Sequence, residues 1–450
     1  MTSFVARLRG VRMLRPLRHR DFAFLAGGST ISLLGDGFFY VALAWQVYEI
    51  SNVPTALSLV GVAWTLPMVI FLLIGGVLSD RYDRRRLMVV ADLIRAAAIG
   101  GIGVLSMLGI IELWHVMALI AFAGLGDAIF NPASTALVPD VVPTAELPQA
   151  NALLGLIRPL MIRISGPALG GVTVGTLGPG VAFLADAASF VASALLIGAI
   201  TPPAARTVTA GGHGLRRTFG EVGEGLRFVL ANPWCWATLL SAMLSLLVFF
   251  GPVEVLLPYL VKNRLGLGPE SLGLVFAASG AGSIAAAIAI GQRSVPRRRI
   301  TTMYVAWTVG LAVIAGYGLM TALWQPMIIA AIAGGSFMLG QVIWTSLLQE
   351  FVPREMLGRV SSLDWLVSIG LVPLSFALTG PISGLLGPTV TIVGGSLLAA
   401  LLTIALLFVP GVRDPERRPV REAAYTPGPG LPPLGPAEAS PLADPQQLGR

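Results

Sequence analysis

Apolar and polar positions fall in long blocks along this chain, with no alternation at strand spacing. Stretches of twenty or more mostly apolar residues are broken by short polar turns. A hydrocarbon core takes about 20 apolar residues of helix to cross. The blocks predict twelve spans, six in each half. The first six are 22–48, 55–78, 87–111, 113–138, 150–176 and 179–200; the second six are 234–261, 271–292, 300–323, 326–350, 360–386 and 388–410. This divides the chain into a basic N-terminus (1–21), a six-helix bundle (22–200), a linker (201–233), a second bundle (234–410) and a tail (411–450). The fold class expected is an all-α membrane protein.

Charge in the turns sets an orientation. Arginines gather in the even-numbered turns: Arg81 to Arg86, then Arg206, Arg216 and Arg217, then Arg293 and Arg297 to Arg299, then Arg354 and Arg359. Odd-numbered turns are nearly bare apart from Lys262 and Arg264. Positive charge stays on the cytoplasmic side, so both chain ends are expected in the cytoplasm of a cell whose inner membrane holds the protein. In the linker, Thr201 to Gly214 is rich in Pro, Gly and Ala, and Phe219, Val222, Leu226 and Val229 then recur at helical spacing. That second part predicts an amphipathic helix, lying either on the membrane surface or on protein. The tail has too little apolar surface to fold.

Composition narrows the function classes. The chain is 55% hydrophobic and 12% charged, about half the charge of a soluble domain. Its net charge of +7 sits in turns between spans, so it is no sign of nucleic-acid binding. The single cysteine, Cys235, forms no internal disulfide framework. No HExxH or Cys/His cluster suggests a metal, and no Gly-x-x-x-x-Gly-Lys-Ser/Thr suggests a nucleotide-driven pump. No cofactor, catalytic cluster or enzyme activity is expected.

The halves echo one another. Val142-Pro143 with Leu147 and Gly166-Pro167 with Gly170 return as Val352-Pro353 with Leu357 and Gly380-Pro381 with Gly384. Gly76, Leu78, Asp80, Arg81, Arg84 and Arg85 form a Gly-x-Leu-x-Asp-Arg turn with clustered arginine between the second and third spans, with Asp83 where a glycine is usual. This turn resembles that of the major facilitator superfamily. The resemblance implies two six-helix bundles related by a pseudo-two-fold axis around a midplane site. It is closest to the twelve-helix exporters of drugs and of siderophores such as enterobactin. The residues that carry it are Ile31-Ser-Leu-Leu-Gly35-Asp36-Gly37, Phe130-Asn-Pro132-Ala133 and Gly358-Arg359-Val-Ser361-Ser362-Leu-Asp364-Trp365. It implies export of a small molecule in exchange for protons by a monomer in the lipid bilayer; a facilitator that imports or flips a lipid or metabolite is the alternative.

Candidate site residues follow. An ionisable side chain inside a span is costly and is a functional candidate by default, which selects Asp36, Asp127 and Glu254 as proton carriers in spans 1, 4 and 7. In the facilitator fold these spans line the cavity. Asp80 is expected at the positive N-terminal end of span 11, and Asp140 is expected to pair with Arg84 or Arg85 at the same inner gate. Gly166, Pro167, Gly170 and Gly171 match the second part of the antiporter pattern in span 5, where Pro bends the helix and glycines allow close approach. Ile162 replaces that pattern's earlier glycine, and span 4 has Asp127 but no arginine. Phe39, Tyr40, Arg163 and Phe250 are expected to line the substrate cavity. Asp92 with Arg95 is expected to be a structural pair, and Asp186 and Asp364 are expected at helix ends.

Overall fold

The computed structural model describes residues 12–201, 215–292 and 296–417, without the side chains of 12, 73–77, 79–81, 215–222 and 354–355. Twelve helices among the described residues are long and apolar enough to cross a membrane. Spans 1 to 4 are Arg20–Ile50, Pro54–Arg81, Arg84–Met107 and Leu113–Val141. Span 5 runs through Leu147–Pro159, a π-helical turn Leu160–Ser165 and Gly166–Leu177; span 6 is Pro179–Gly198. Spans 7 and 8 are Pro233–Asn263 and Pro269–Gly291, and span 9 is Arg299–Ile314 continued by a 3₁₀ turn Ala315–Leu319. Span 10 is Trp324–Phe351, span 11 is Arg354–Gly370 followed by Val372–Leu386, and span 12 is Pro388–Leu406.

Local chemistry fixes many span ends. Pro54, Pro179, Pro233, Pro269 and Pro388 each open a helix, where proline's missing donor costs nothing. Gly178 and Gly387, at φ 85° and 83°, make the equivalent sharp turns before spans 6 and 12. Asp83 sits at φ −59°, so no glycine is needed there, and its carboxylate caps span 3 by accepting from Arg85 N at 3.0 Å.

The pairing of spans repeats. In the first half span 1 packs on 5 and 6, span 4 on 2 and 3, and span 3 on 6. In the second half span 7 packs on 11 and 12, span 10 on 8 and 9, and span 9 on 12. The halves meet where span 2 packs on 11 and span 5 on 8, pairs that the same two-fold relation exchanges. Ion pairs repeat too. Arg84 at the start of span 3 reaches Asp140 at the end of span 4 (2.7 Å), and Arg299 at the start of span 9 reaches Glu350 at the end of span 10.

The apolar core shows which end is closed. At the bare-loop end one cluster joins both halves, including Tyr48, Val60, Val255, Leu256, Leu272 and Phe376. At the arginine end the clusters are separate, one around Met88, Leu137 and Ile197, the other around Met303, Leu347 and Val360. Hydrogen bonds between halves lie at the joined end: Tyr48 Oη donates to Val255 O (2.6 Å), Lys262 Nζ to Tyr48 O (2.7 Å), and Asn52 Nδ2 to Asn263 Oδ1 (2.6 Å). Lys262 also lies over the Trp45 ring.

One extramembrane expectation narrows to a single reading and another changes. The linker helix, Leu215–Ala231, packs on protein: Phe228 and Val229 are buried against the second half, and Glu224 pairs with Arg359 of span 11. The sequence reading begins the unfolded tail at 411, but residues through Arg417 are docked. Val412 is fully buried, and Glu416 accepts from Thr301 N at 2.6 Å and Thr301 Oγ1 at 3.0 Å. Burying Val412 and capping span 9 account for the order. Positions 418–450, 1–11 and 202–214 lie outside the described residues.

Candidate substrate chamber and its charged groups

Cavities follow the plane between the halves. A cavity of about 730 Å³ is lined from both sides, by Tyr40, Trp64, Arg158 and Arg163 of the first half and Phe250, Glu254, Phe337 and Phe376 of the second. A cavity of about 360 Å³ continues it into the first half and reaches Val138 and Asn151 at the arginine end. A third, about 580 Å³, continues it into the second half among Phe249, Trp307, Tyr317, Phe337 and Trp344. Shared lining residues make these one chamber.

The two lobes differ chemically. Asp36, Asp127, Asp186, Arg95 and Arg158 line the first-half lobe with Ser29, Ser32 and Asn131. Aromatic rings dominate the second-half lobe: Phe249 stacks on Phe337 (5.8 Å), and Phe250 meets Phe376 edge-on (5.9 Å). Glu254, Arg163 and Asp364 are its charged groups. Phe39 is buried, packed edge-on against Tyr40 and Trp64, and supports the Tyr40 wall.

Arg95 organises the first-half lobe. Its side chain is 5% exposed and pairs with Asp92, one turn back on span 3, and with Asp127 Oδ1 on span 4 at 3.2 Å. Phe130 and Phe190 sandwich the guanidinium at 4.2 and 4.3 Å, a cation–π arrangement that offsets lost hydration. Gly126 allows this approach, because a Cβ there would lie 2.6 Å from Arg95 Cγ. Trp64 Nε1 donates to Asp127 Oδ2 at 3.1 Å. Asp127 therefore lines the chamber with both oxygens engaged. Asp36 and Glu254 differ: among the described residues neither forms an ion pair or accepts a hydrogen bond.

Arg158 and Arg163 both face the chamber, and neither forms an ion pair among the described residues. Asp364 accepts from Trp344 Nε1 at 3.1 Å and lies ten residues into span 11, not at its end. Asp186 is likewise mid-helix in span 6 and fully buried, where the sequence reading expects a helix-end partner. Both had a signal: each is an acid inside an apolar run.

Two prolines interrupt the α-helical run of span 5. Pro159 and Pro167 bracket the π-helical turn, and each removes a backbone donor. The glycines then seat the helix on two neighbours. A Cβ on Gly166 would lie 2.6 Å from Gly37 Cα of span 1, one on Gly170 2.6 Å from Phe38 Cα, and one on Gly171 2.8 Å from Pro269 O of span 8. At the arginine end, Asp140 holds Arg84, which also donates to Ala136 O at 2.8 Å. Arg85 starts span 3 beside its Asp83 cap. The side chains of Gly76, Asp80 and Arg81, and any pairing of Asp80 with span 11, lie outside the described residues.

Twelve membrane helices in two pseudo-equivalent bundles around a central chamber define a membrane transporter of the major facilitator class. Residues 11–427 match one family model of that class, and the chain belongs to this family, described as transmembrane secretion effector. A relative from Mycolicibacterium fortuitum, the multidrug efflux pump Tap, is 27% identical over 406 residues, covering 87% of this chain and 95% of Tap. Macrolide efflux protein A of Streptococcus pyogenes is 23% identical over 362 residues, covering 80% of this chain and 88% of that protein. Among solved structures, a bacterial homologue of the human lysosomal transporter Spinster, inward-facing and occupied, superposes with a TM-score of 0.60. That match covers 92% of this chain and 99% of the other at 16% identity, and it shows the fold alone.

Proposed function

We propose that the protein exports small amphipathic molecules, in the class of drugs, siderophores or secondary metabolites, in exchange for protons. It works as a monomer in the inner membrane with both chain ends in the cytoplasm. One observation carries this reading: the chamber between the halves holds two carboxyl groups that form no ion pair among the described residues, Asp36 and Glu254, within reach of apolar and aromatic walls. Relatives named for drug and macrolide efflux support the direction of transport.

With the arginine end facing the cytoplasm, the structure corresponds to the loading state. Cargo enters and places its apolar body among Phe249, Phe250 and Phe337. Asp36 and Glu254 release protons to the cytoplasm as cargo binds. The halves then rock about the contacts of span 2 with 11 and span 5 with 8. That motion breaks the bonds of Tyr48, Lys262 and Asn52 to the opposite half. Outside, protonation of the two carboxyls removes their charge, cargo leaves, and the halves return. Asp127 acts through Arg95, holding the wall behind Asp36 in register.

A substrate panel in a pump-deleted host, with and without a proton uncoupler, tests the reading. Efflux that raises resistance and collapses with uncoupler is expected. Accumulation of the same compounds, or efflux indifferent to uncoupler, overturns it. Asp36→Asn and Glu254→Gln are expected to end uncoupler-sensitive efflux while the protein stays folded; Asp127→Asn also lowers it, through Arg95.

A further inference from the structure

Span 6 packs behind span 1, yet one of its carboxyls forms part of the first-half lobe. Asp186 is 1% exposed and lines the cavity that Asp36 lines. Ser189 Oγ, one turn on, donates to Asp186 Oδ1 at 3.3 Å. The other oxygen, Oδ2, has no partner among the described residues. The opposing residue on span 1 is Gly35, and a Cβ there would overlap both Asp186 Oδ1 and Ser189 Oγ. The missing side chain makes the recess that holds the carboxyl, and Asp36 is the next residue along.

The charges around Asp186 do not balance it. Asp36 lines the same lobe from span 1, Arg95 from span 3 and Asp127 from span 4. Arg95 is already engaged by Asp92 and Asp127. Arg158 lines the same lobe but is exposed in the chamber. A fully buried carboxylate with a single hydroxyl donor is very costly, and such a group stays buried by being neutral.

We propose that Asp186 is a second proton-binding carboxyl of the first half, working as a pair with Asp36. Asp36 exchanges protons with the chamber; Asp186 exchanges only through Asp36. In each transfer one O–H bond breaks at the donor carboxyl as one forms at the acceptor, so atoms and charge balance. This deepens the proton-exchange reading of the chamber and rests on it.

Infrared difference spectroscopy on the purified full-length protein reads protonated carboxyls directly, as a function of pH and after transfer to deuterated buffer. Asp186→Asn is expected to remove one protonated-carboxyl band and shift the pH midpoint of another. Asp36→Asn is expected to leave the Asp186 band in place and slow its deuterium exchange. Ser189→Ala, which keeps the carboxyl and removes its one donor, is expected to shift that band in frequency. Identical titrations in wild type and Asp186→Asn, or unchanged exchange in Asp36→Asn, overturn the proposal. If Asp186→Asn fails to fold, an unshifted band in Ser189→Ala overturns it instead. Uncoupler-insensitive ethidium efflux by the wild type would defeat the antiport reading alone, because the bands are read without transport.

Discussion

Arg95 shows how much one side chain does in the first half. It is held by two carboxylates on two spans and by two aromatic faces. Arg95→Ala leaves Asp92 and Asp127 without a cation, and removing one partner of a buried pair costs roughly 3–5 kcal/mol. Its melting temperature in detergent should fall sharply, and Arg95→Lys should not restore it, because an ammonium lacks the planar fork and weakens the stacking. A lysine variant as stable as wild type would show that charge alone matters there. Asp36, Asp127 and Glu254 were legible in the sequence because a charged letter inside an apolar run stands out. What the sequence hid was partnership. Arg95 and Asp127 lie 32 positions apart, and only the packing of span 3 on span 4 joins them. Asp186 was hidden by an expectation about spans: the facilitator scheme gives the chamber to spans 1, 4, 7 and 10, and a gap at Gly35 lets span 6 contribute.

Elements were the most legible scale. Each span exists because an apolar run of membrane length must satisfy its backbone internally, and prolines and glycines mark the ends. Less legible were irregularities within spans. Two prolines announce a bend in span 5, but the π-helical turn at Leu160–Ser165 depends on how that helix meets its neighbours. Gly166 packs backbone against backbone on Gly37. Gly166→Val should therefore cost roughly 1–3 kcal/mol through overpacking and lower efflux more than surface expression, as flow cytometry beside transport would report. Equal expression and equal efflux would separate the glycine from the bend. The linker helix had two readings from its periodicity, and burial of Phe228 and Val229 decided between them.

Across the whole molecule, the repeat seen in two Val-Pro turns became a two-fold scheme of helix contacts. The closed end could not be read from sequence, because it depends on which of two alternating states is adopted. Its bonds give a direct handle. Asn52 and Asn263 touch across the halves, and Cys235 is the chain's one cysteine and is buried. An Asn52→Cys, Asn263→Cys pair should cross-link under mild oxidation and stop transport until reduced; transport by the cross-linked protein would contradict opening of the halves at this contact. Lys262→Ala removes one bond, worth about 1 kcal/mol, and should shift the population toward the outward-open state, measured as slower formation of that cross-link.

Coupling is tested most directly in proteoliposomes holding the purified protein and a pH-sensitive dye, with a transported compound added under an imposed pH gradient. Compound movement and proton movement should rise together, in opposite directions, and both should vanish in the Asp36→Asn, Glu254→Gln double variant. Compound movement at full rate without proton movement, or undiminished in the double variant, would contradict proton-for-cargo exchange at these carboxyls.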